Sequence, residues 1–137
     1  MRTKALFFTF ILLAGGAIAR PGSGGLPPLM VGSAKNGNTV HDVELVSHMA
    51  EGAQIPACGT QSANESLGEV SIMNETLVVK SVCQSGELTV IEAQSDDSQV
   101  KATGKLEVVD EVAKLSGKIS VKAAGSEKTL TLDLVEP

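Results

Sequence analysis

From residue 100 to the end of the chain, apolar and polar positions alternate with a period of two. Val100, Ala102, Leu106 and Val108 alternate with Lys101, Thr103, Lys105 and Glu107. Ala113, Leu115, Ile119 and Val121 then alternate with Lys114, Ser116, Lys118 and Lys122, and Leu130, Leu132 and Leu134 repeat the pattern. A period of two puts successive side chains on opposite faces of a strand, so this region is expected to form three half-buried antiparallel strands.

Register follows from asking which turns bring apolar faces together, because a one-residue slip would turn a whole face to water. Asp110-Glu111 as a two-residue turn sets Val108 opposite Ala113, Leu106 opposite Leu115, Ala102 opposite Ile119 and Val100 opposite Val121, with Glu107 facing Lys114. Gly125-Ser126 as the next turn, a pair suited to type II′, sets Val121 opposite Leu130, Ile119 opposite Leu132 and Lys118 opposite Asp133.

Within these strands the pattern [ST]-G-K-[LI]-x-V occurs twice, at Thr103–Val108 and Ser116–Val121. The expected register brings Gly104 and Gly117 face to face on the inner side. Paired glycines at a core position remove side-chain volume and suit sheet curvature or a close backbone approach. The Gly-Lys pairs do not make a phosphate-binding loop: Gln99 and Val112 stand where the leading glycine is required, and Leu106 and Ile119 where the hydroxyl residue is.

Upstream, Val70 and Ile72, Leu77 to Cys83 and Leu88 to Ala93 read as further strands, separated by Asn74-Glu75 and Ser85-Gly86. Leu77-Val78-Val79 is apolar at successive positions, which predicts a central strand covered on both faces. Between Val40 and Glu51 the pattern is ambiguous: Val43, Val46, Met49 and Ala50 suit a helical face and Val43 and Leu45 a strand, and a short helix near 41–51 is the expectation. Residues 52–66, with Pro56 and Gly59, read as a loop held through Cys58. Residues 20–38 are rich in Pro and Gly and read as a flexible tether, with Asn36-Gly37 offering a tight turn that would pair Leu29 to Val31 with Thr39 and Val40 as an edge ribbon.

Ahead of the tether, Arg2 and Lys4, an apolar run from Ala5 to Leu13 and the small residues Ala17 and Ala19 form the three zones of a secretory signal. Residues 1–19 are therefore expected to be a signal peptide cleaved before Arg20, which implies a secreted or periplasmic protein with no membrane span after removal. Cys58 and Cys83 are the two cysteines, and an even count in an exported chain favours a disulfide. Asn64-Glu65-Ser66 and Asn74-Glu75-Thr76 fit the N-glycosylation acceptor pattern, which applies if the source is eukaryotic.

Composition narrows the function. The three phenylalanines, Phe7, Phe8 and Phe10, all lie in the signal, and Trp and Tyr are absent. A mature chain without aromatic rings lacks stacking platforms for sugars and bases and the usual anchors of a tight interface. Loss of Arg2 and Lys4 leaves 9 bases against 16 acids, a formal net charge of −7. That balance argues against nucleic acid. The acids concentrate early: residues 20–97 hold three bases and ten acids, whereas residues 98–137 hold six of each.

Candidate chemistry is sparse. His41 and His48 are seven residues apart, about 10 Å along a helix, and lack the i, i+4 spacing of a zinc pair, although Asp42 and Glu44 stand close by as oxygen donors. No G-x-S-x-G elbow is present, and Asp96-Asp97-Ser98 lacks the glycine and distal glutamate of a calcium loop.

The expectation is an all-β protein: signal 1–19, tether 20–38 and a single domain over 39–137, an antiparallel β-sandwich or partly open barrel of about 6–8 strands ending in a meander. The functional expectation is an exported, non-catalytic module that binds a protein partner or serves structurally, with no cofactor and no catalytic or metal residues. The alternatives are a carrier of a small apolar ligand in a Val/Leu/Ile-lined interior and a weak metal-dependent hydrolase using His41 and His48.

Overall fold

Eight strands follow one another along the chain: β1 (Leu29–Asn36), β2 (Thr39–Ser47), β3 (Gly68–Ile72), β4 (Glu75–Ser85), β5 (Leu88–Gln94), β6 (Ser98–Val109), β7 (Val112–Ala123) and β8 (Ser126–Val135). A computed structural model describes residues 25–50, 53–59 and 66–137. Each strand pairs antiparallel with its sequence neighbours, and β8 returns to β1, so the sheet closes into an up-and-down barrel. Closure decides between the expected sandwich and open barrel, and it removes most of the edges an open sheet would expose.

Alternation explains the core. Inward positions of β6, β7 and β8 are Val100, Ala102, Leu106, Leu115, Ile119, Leu130, Leu132 and Leu134, all buried. Met30 and Ala34 of β1, Val43 and Leu45 of β2, Val70 and Ile72 of β3, Leu77 and Val79 of β4 and Ile91 and Ala93 of β5 complete the ring of apolar side chains. Eight strands enclose an interior that side chains can just fill. The void left between Leu45, Ile91, Leu115 and Leu132 is only about 10 Å³.

The β6–β7 register has the expected form, from Val108 opposite Ala113 to Val100 opposite Val121, with Gly104 opposite Gly117. Asp110 and Glu111 both have positive φ, 53° and 67°, as a type I′ turn requires. The β7–β8 register differs from expectation by two residues. Ile119 faces Leu130, Lys118 faces Thr131, and Asp133 faces Ser116. Its turn is Ala124-Gly125, with φ of 52° and 80°, which again is the I′ form and not the II′ form expected of Gly125-Ser126. A shift of two preserves which face each residue occupies, so the apolar pattern alone was blind to it.

The other departures come from the first half of the chain. Residues 41–47 form strand, not helix, because β2 lies between β1 and β3 and sends Val43, Leu45 and Ser47 inward. The domain also starts before residue 39: β1 occupies 29–36 of the expected tether and supplies the closing strand. Its hairpin turns at Gly37-Asn38, with Asn36 opposite Thr39 and Val31 opposite Glu44, so Leu29 to Val31 do not meet Thr39 and Val40. Val78 is only half-buried, since a single-layer barrel covers one face of β4. A bulge between Val79 and Ser81 resets that strand's alternation. Turns fall at Met73-Asn74 and Gly86-Glu87, one residue from the expected pairs.

One end of the barrel is closed by the segment between β2 and β3. Ile55 and Leu26 are buried there, Pro56 and Cys58 exchange backbone hydrogen bonds with Gln84 of β4, and Cys58 is disulfide-bonded to Cys83 with a Cα–Cα distance of 4.8 Å. These bonds supply the lower half of β4 with a partner, because β3 reaches only as far as Val79. The expected signal peptide, residues 1–19, and the first five residues of the expected tether lie outside the described residues.

Candidate functional site

At the other barrel end the strands are unequal in length. β2 has nine residues and β3 only five, since β3 stops at Ile72 to enter the Met73-Asn74 turn. Pairing between them runs from Ser47 opposite Gly68 to Val43 opposite Ile72. Thr39 to His41 therefore lie beyond β3 and pair with β1.

The direction of the free backbone groups follows from ladder alternation. In a two-residue hairpin the residues flanking the turn form a hydrogen-bonded pair, and bonded and non-bonded pairs then alternate. Asn36 and Thr39 are that pair, so Thr39 and His41 direct their N–H and C=O to β1. Val40 and Asp42 direct theirs away from it: Asp42 toward Met73, the residue after Ile72, and Val40 beyond the Met73-Asn74 turn. Val40 is also one of the exposed large apolar residues, at 55 % exposure.

Beside this edge lies an open depression of about 760 Å³, lined by Asp42 and Glu44 of β2 and by Ser71, Asn74, Glu75 and Thr76 of the β3–β4 hairpin, among others. Its ionisable lining residues are all acidic. The nearest base along the ladder is Lys35, opposite Val40 on β1. Asp42 and Glu44 are exposed and point to the outer face, so solvent carries most of their charge.

Glu75 has a structural task at the same rim. Its carboxylate accepts hydrogen bonds from Ser98 Oγ at 2.9 Å and Ser95 Oγ at 3.2 Å, tying the start of β4 to the β5–β6 connection. Ser95 Oγ in turn accepts from the backbone N–H groups of Asp97 and Ser98. Asp96-Asp97-Ser98 is thus a polar turn organised by Ser95.

The remaining residues singled out in the sequence are dispersed. His41 is half-buried at one end of β2, and His48 is exposed just past the other end. Seven residues of strand span roughly 23 Å, so the two histidines do not share a site. Among the described residues no group of three or more His, Cys, Asp or Glu is placed to hold a metal ion. Asn74 is exposed in the β3–β4 turn, on the wall of the depression, and Asn64 lies outside the described residues.

The outer face of β6 and β7 has a pattern that only the register reveals. Each of five consecutive outward pairs, from Gln99–Lys122 to Glu107–Lys114, carries one lysine, and the lysine alternates between strands. Lys118 faces Thr103 and Thr131, so the acidic partner expected for it is absent. Acids nevertheless border the array: Glu92 is opposite Lys101, Glu127 is opposite Lys122, and Glu107 lies 3.7 Å from Lys105. Charges balanced over a few ångströms leave little field beyond a Debye length of about 8–10 Å, so the face is a solvated one.

An interior void of about 10 Å³ lined by apolar side chains is at the lower limit for one water, far below the several hundred Å³ of a small-molecule pocket. Among the described residues no helix is long and apolar enough to cross a membrane. The disulfide is compatible with an extracellular or periplasmic location. Compared with known proteins, the chain matches no family model, no curated protein and no solved structure.

Sequence reasoning did not find the β2 edge. No local signal marks it, because a free edge is a difference in length between two strands that are separated by some twenty residues of chain.

Proposed function

We propose that this chain works outside the cytoplasm as a non-catalytic binding module that takes an extended segment of a partner protein onto the free edge of β2. The observation that carries this reading is Val40, which is 55 % exposed, lies beyond the last β2–β3 pair and by ladder alternation directs its backbone N–H and C=O away from β1. Strand addition draws its affinity from main-chain hydrogen bonds, so it needs none of the aromatic anchors this chain lacks. Export is supported by the signal-like pattern of residues 1–19 and by the disulfide. An interior void of only about 10 Å³ and the placing of His41 and His48 at opposite ends of β2 support this reading over a ligand carrier or a metallohydrolase.

Site-specific photocrosslinking in the native compartment tests the reading. A photoreactive residue at position 40 is expected to capture a defined protein and one at position 129, on β8, is not. The amide of Val40 should become protected from exchange in the captured complex. Capture at both positions alike, or no change in exchange at Val40, overturns the proposal.

A further inference from the structure

At one end of the barrel the outer face carries an apolar belt. Leu29 and Val31 of β1, Val46 of β2, Val112 of β7 and Val135 of β8 occupy outward places and are half-buried, whereas farther along the same strands those places hold Ser33, Lys35, Asp42, Lys118 and Thr131. Apolar residues on both faces mark a strand that is covered twice, and the barrel interior covers only one face. We infer that a second copy of this chain covers the other, in a dimer whose two-fold axis runs along the strands midway between β1 and β8.

Self-complementarity is what points to a second copy. One row across the ladder reads Lys114, Val135, Val31, Glu44. Rotation about that axis lays the row on itself in reverse. Val31 then meets Val135 of the second copy and Lys114 meets Glu44 of the second copy, each contact occurring twice. The next row, Ser116, Asp133, Ser33, Asp42, reverses in the same way and sets each carboxylate against a hydroxyl. On the other side of the first row, Val112 lies two residues before Lys114 and Val46 two residues after Glu44, so these valines also meet. A two-fold axis set across the strands would instead put Lys114 on Lys114 and Glu44 on Glu44, and like charges across an interface oppose association.

The curvature of the barrel suits this pairing. Lys114 and Glu44 stand about 7 Å to either side of the axis, one and a half strand spacings away, where two convex walls diverge and long side chains can span the gap. Both are exposed, and among the described residues the one ion pair is Lys105–Glu107, so neither is engaged within its own chain. An anionic lipid surface is a poorer occupant, because Asp110 and Glu111 of the adjoining turn, with Glu44 and Glu107, border the belt with negative charge. Val40 directs its N–H and C=O to the side of β2 away from the axis, so the edge proposed for strand addition stays open in the dimer.

Sedimentation equilibrium of the oxidised protein from micromolar to millimolar concentration tests the inference. A reversible monomer–dimer equilibrium is expected. Val31→Lys should give a monomer throughout while keeping the far-UV circular dichroism of the barrel. Lys114→Glu or Glu44→Lys alone should weaken the dimer about tenfold, since two exposed pairs change in each dimer, and the two substitutions together should restore it. Val40→Pro should leave the equilibrium unchanged. A monomer at millimolar concentration, a dimer indifferent to Val31→Lys, or a double charge swap no tighter than the single swaps overturns the proposal. Dissociation by Val40→Pro would mean that copies meet edge to edge, and binding of the monomer to anionic phospholipid vesicles, lost in Val31→Lys, would mean that lipid covers the belt; either result also overturns it.

Discussion

Gly104 and Gly117 face each other across β6 and β7 so closely that a Cβ added to Gly117 would lie 2.5 Å from the Cα of Gly104. The space that two side chains would take at this inner position is used by the backbones themselves and by Leu115, whose Cδ1 lies 3.2 Å from where a Cβ of Gly104 would sit. The repeated [ST]-G-K-[LI]-x-V pattern is therefore a packing device.

Gly117→Ala should destabilise the barrel by about 2–3 kcal/mol and Gly104→Ala by less, because the first meets backbone on every side and the second partly meets a side chain that can rotate. Denaturant midpoints of the two variants check the order; equal midpoints contradict it.

Gly32 plays the same part at the seam where β1 closes on β8. A Cβ there would run into the carbonyl oxygen of Asp133 and sit 2.9 Å from the Cα of Leu134. Gly32→Ala is expected to loosen β1 from β8 while leaving β6–β7 intact, which amide exchange reads as lost protection at Ser33 and Asp133 with protection kept at Thr103 and Lys118.

Alternation along β2 predicts opposite outcomes for two adjacent substitutions. His41→Pro removes an N–H bonded to β1 and should cost about 3 kcal/mol, whereas Val40→Pro removes one that points into open space and should cost much less. Only the second should abolish partner binding in a protein that still folds. Thermal melts and recovery of the partner by each variant in the native compartment together check both halves.

The Cys58–Cys83 link closes a separation of 25 residues and pins the segment carrying Ile55 over the barrel end. Replacing both cysteines with serine should lower stability by about 3 kcal/mol, with the eight-strand ladder retained, because no strand pairing depends on the bond. Equilibrium unfolding with and without reductant gives the figure, and far-UV circular dichroism shows whether the strands persist.

Ser98 is buried at 4 % exposure and donates to Glu75. Glu75→Ala should cost about 1–2 kcal/mol and speed amide exchange at Ser98, since a buried hydroxyl loses its acceptor and the rim loses its tie to the β5–β6 turn. Unchanged exchange at Ser98 contradicts that role.

Much of this architecture was present in local pattern. Period-two alternation placed Leu106, Leu115, Ile119 and Leu132 inside and the lysines outside, the Asp110-Glu111 turn set the β6–β7 register to the residue, and two cysteines in a chain with a signal-like start pointed to each other. Each of these depends on neighbours in sequence or on a count of one residue type, so no knowledge of distant strands was needed.

Other features depended on what strands do to one another. The β7–β8 register turned on the positive φ of Ala124, which alternation cannot sense because a slip of two keeps every side chain on its face. Strand β2 was ambiguous because Val43, Val46 and Met49 suit a helical face, and pairing on both sides overrode that spacing. Closure through β1, the filled interior and the free edge at Val40 are relations of length and stagger among strands far apart in the chain. Faces are set residue by residue, whereas edges and closure are properties of the whole circuit of hydrogen bonds, and only the folded barrel decides where that circuit is left incomplete.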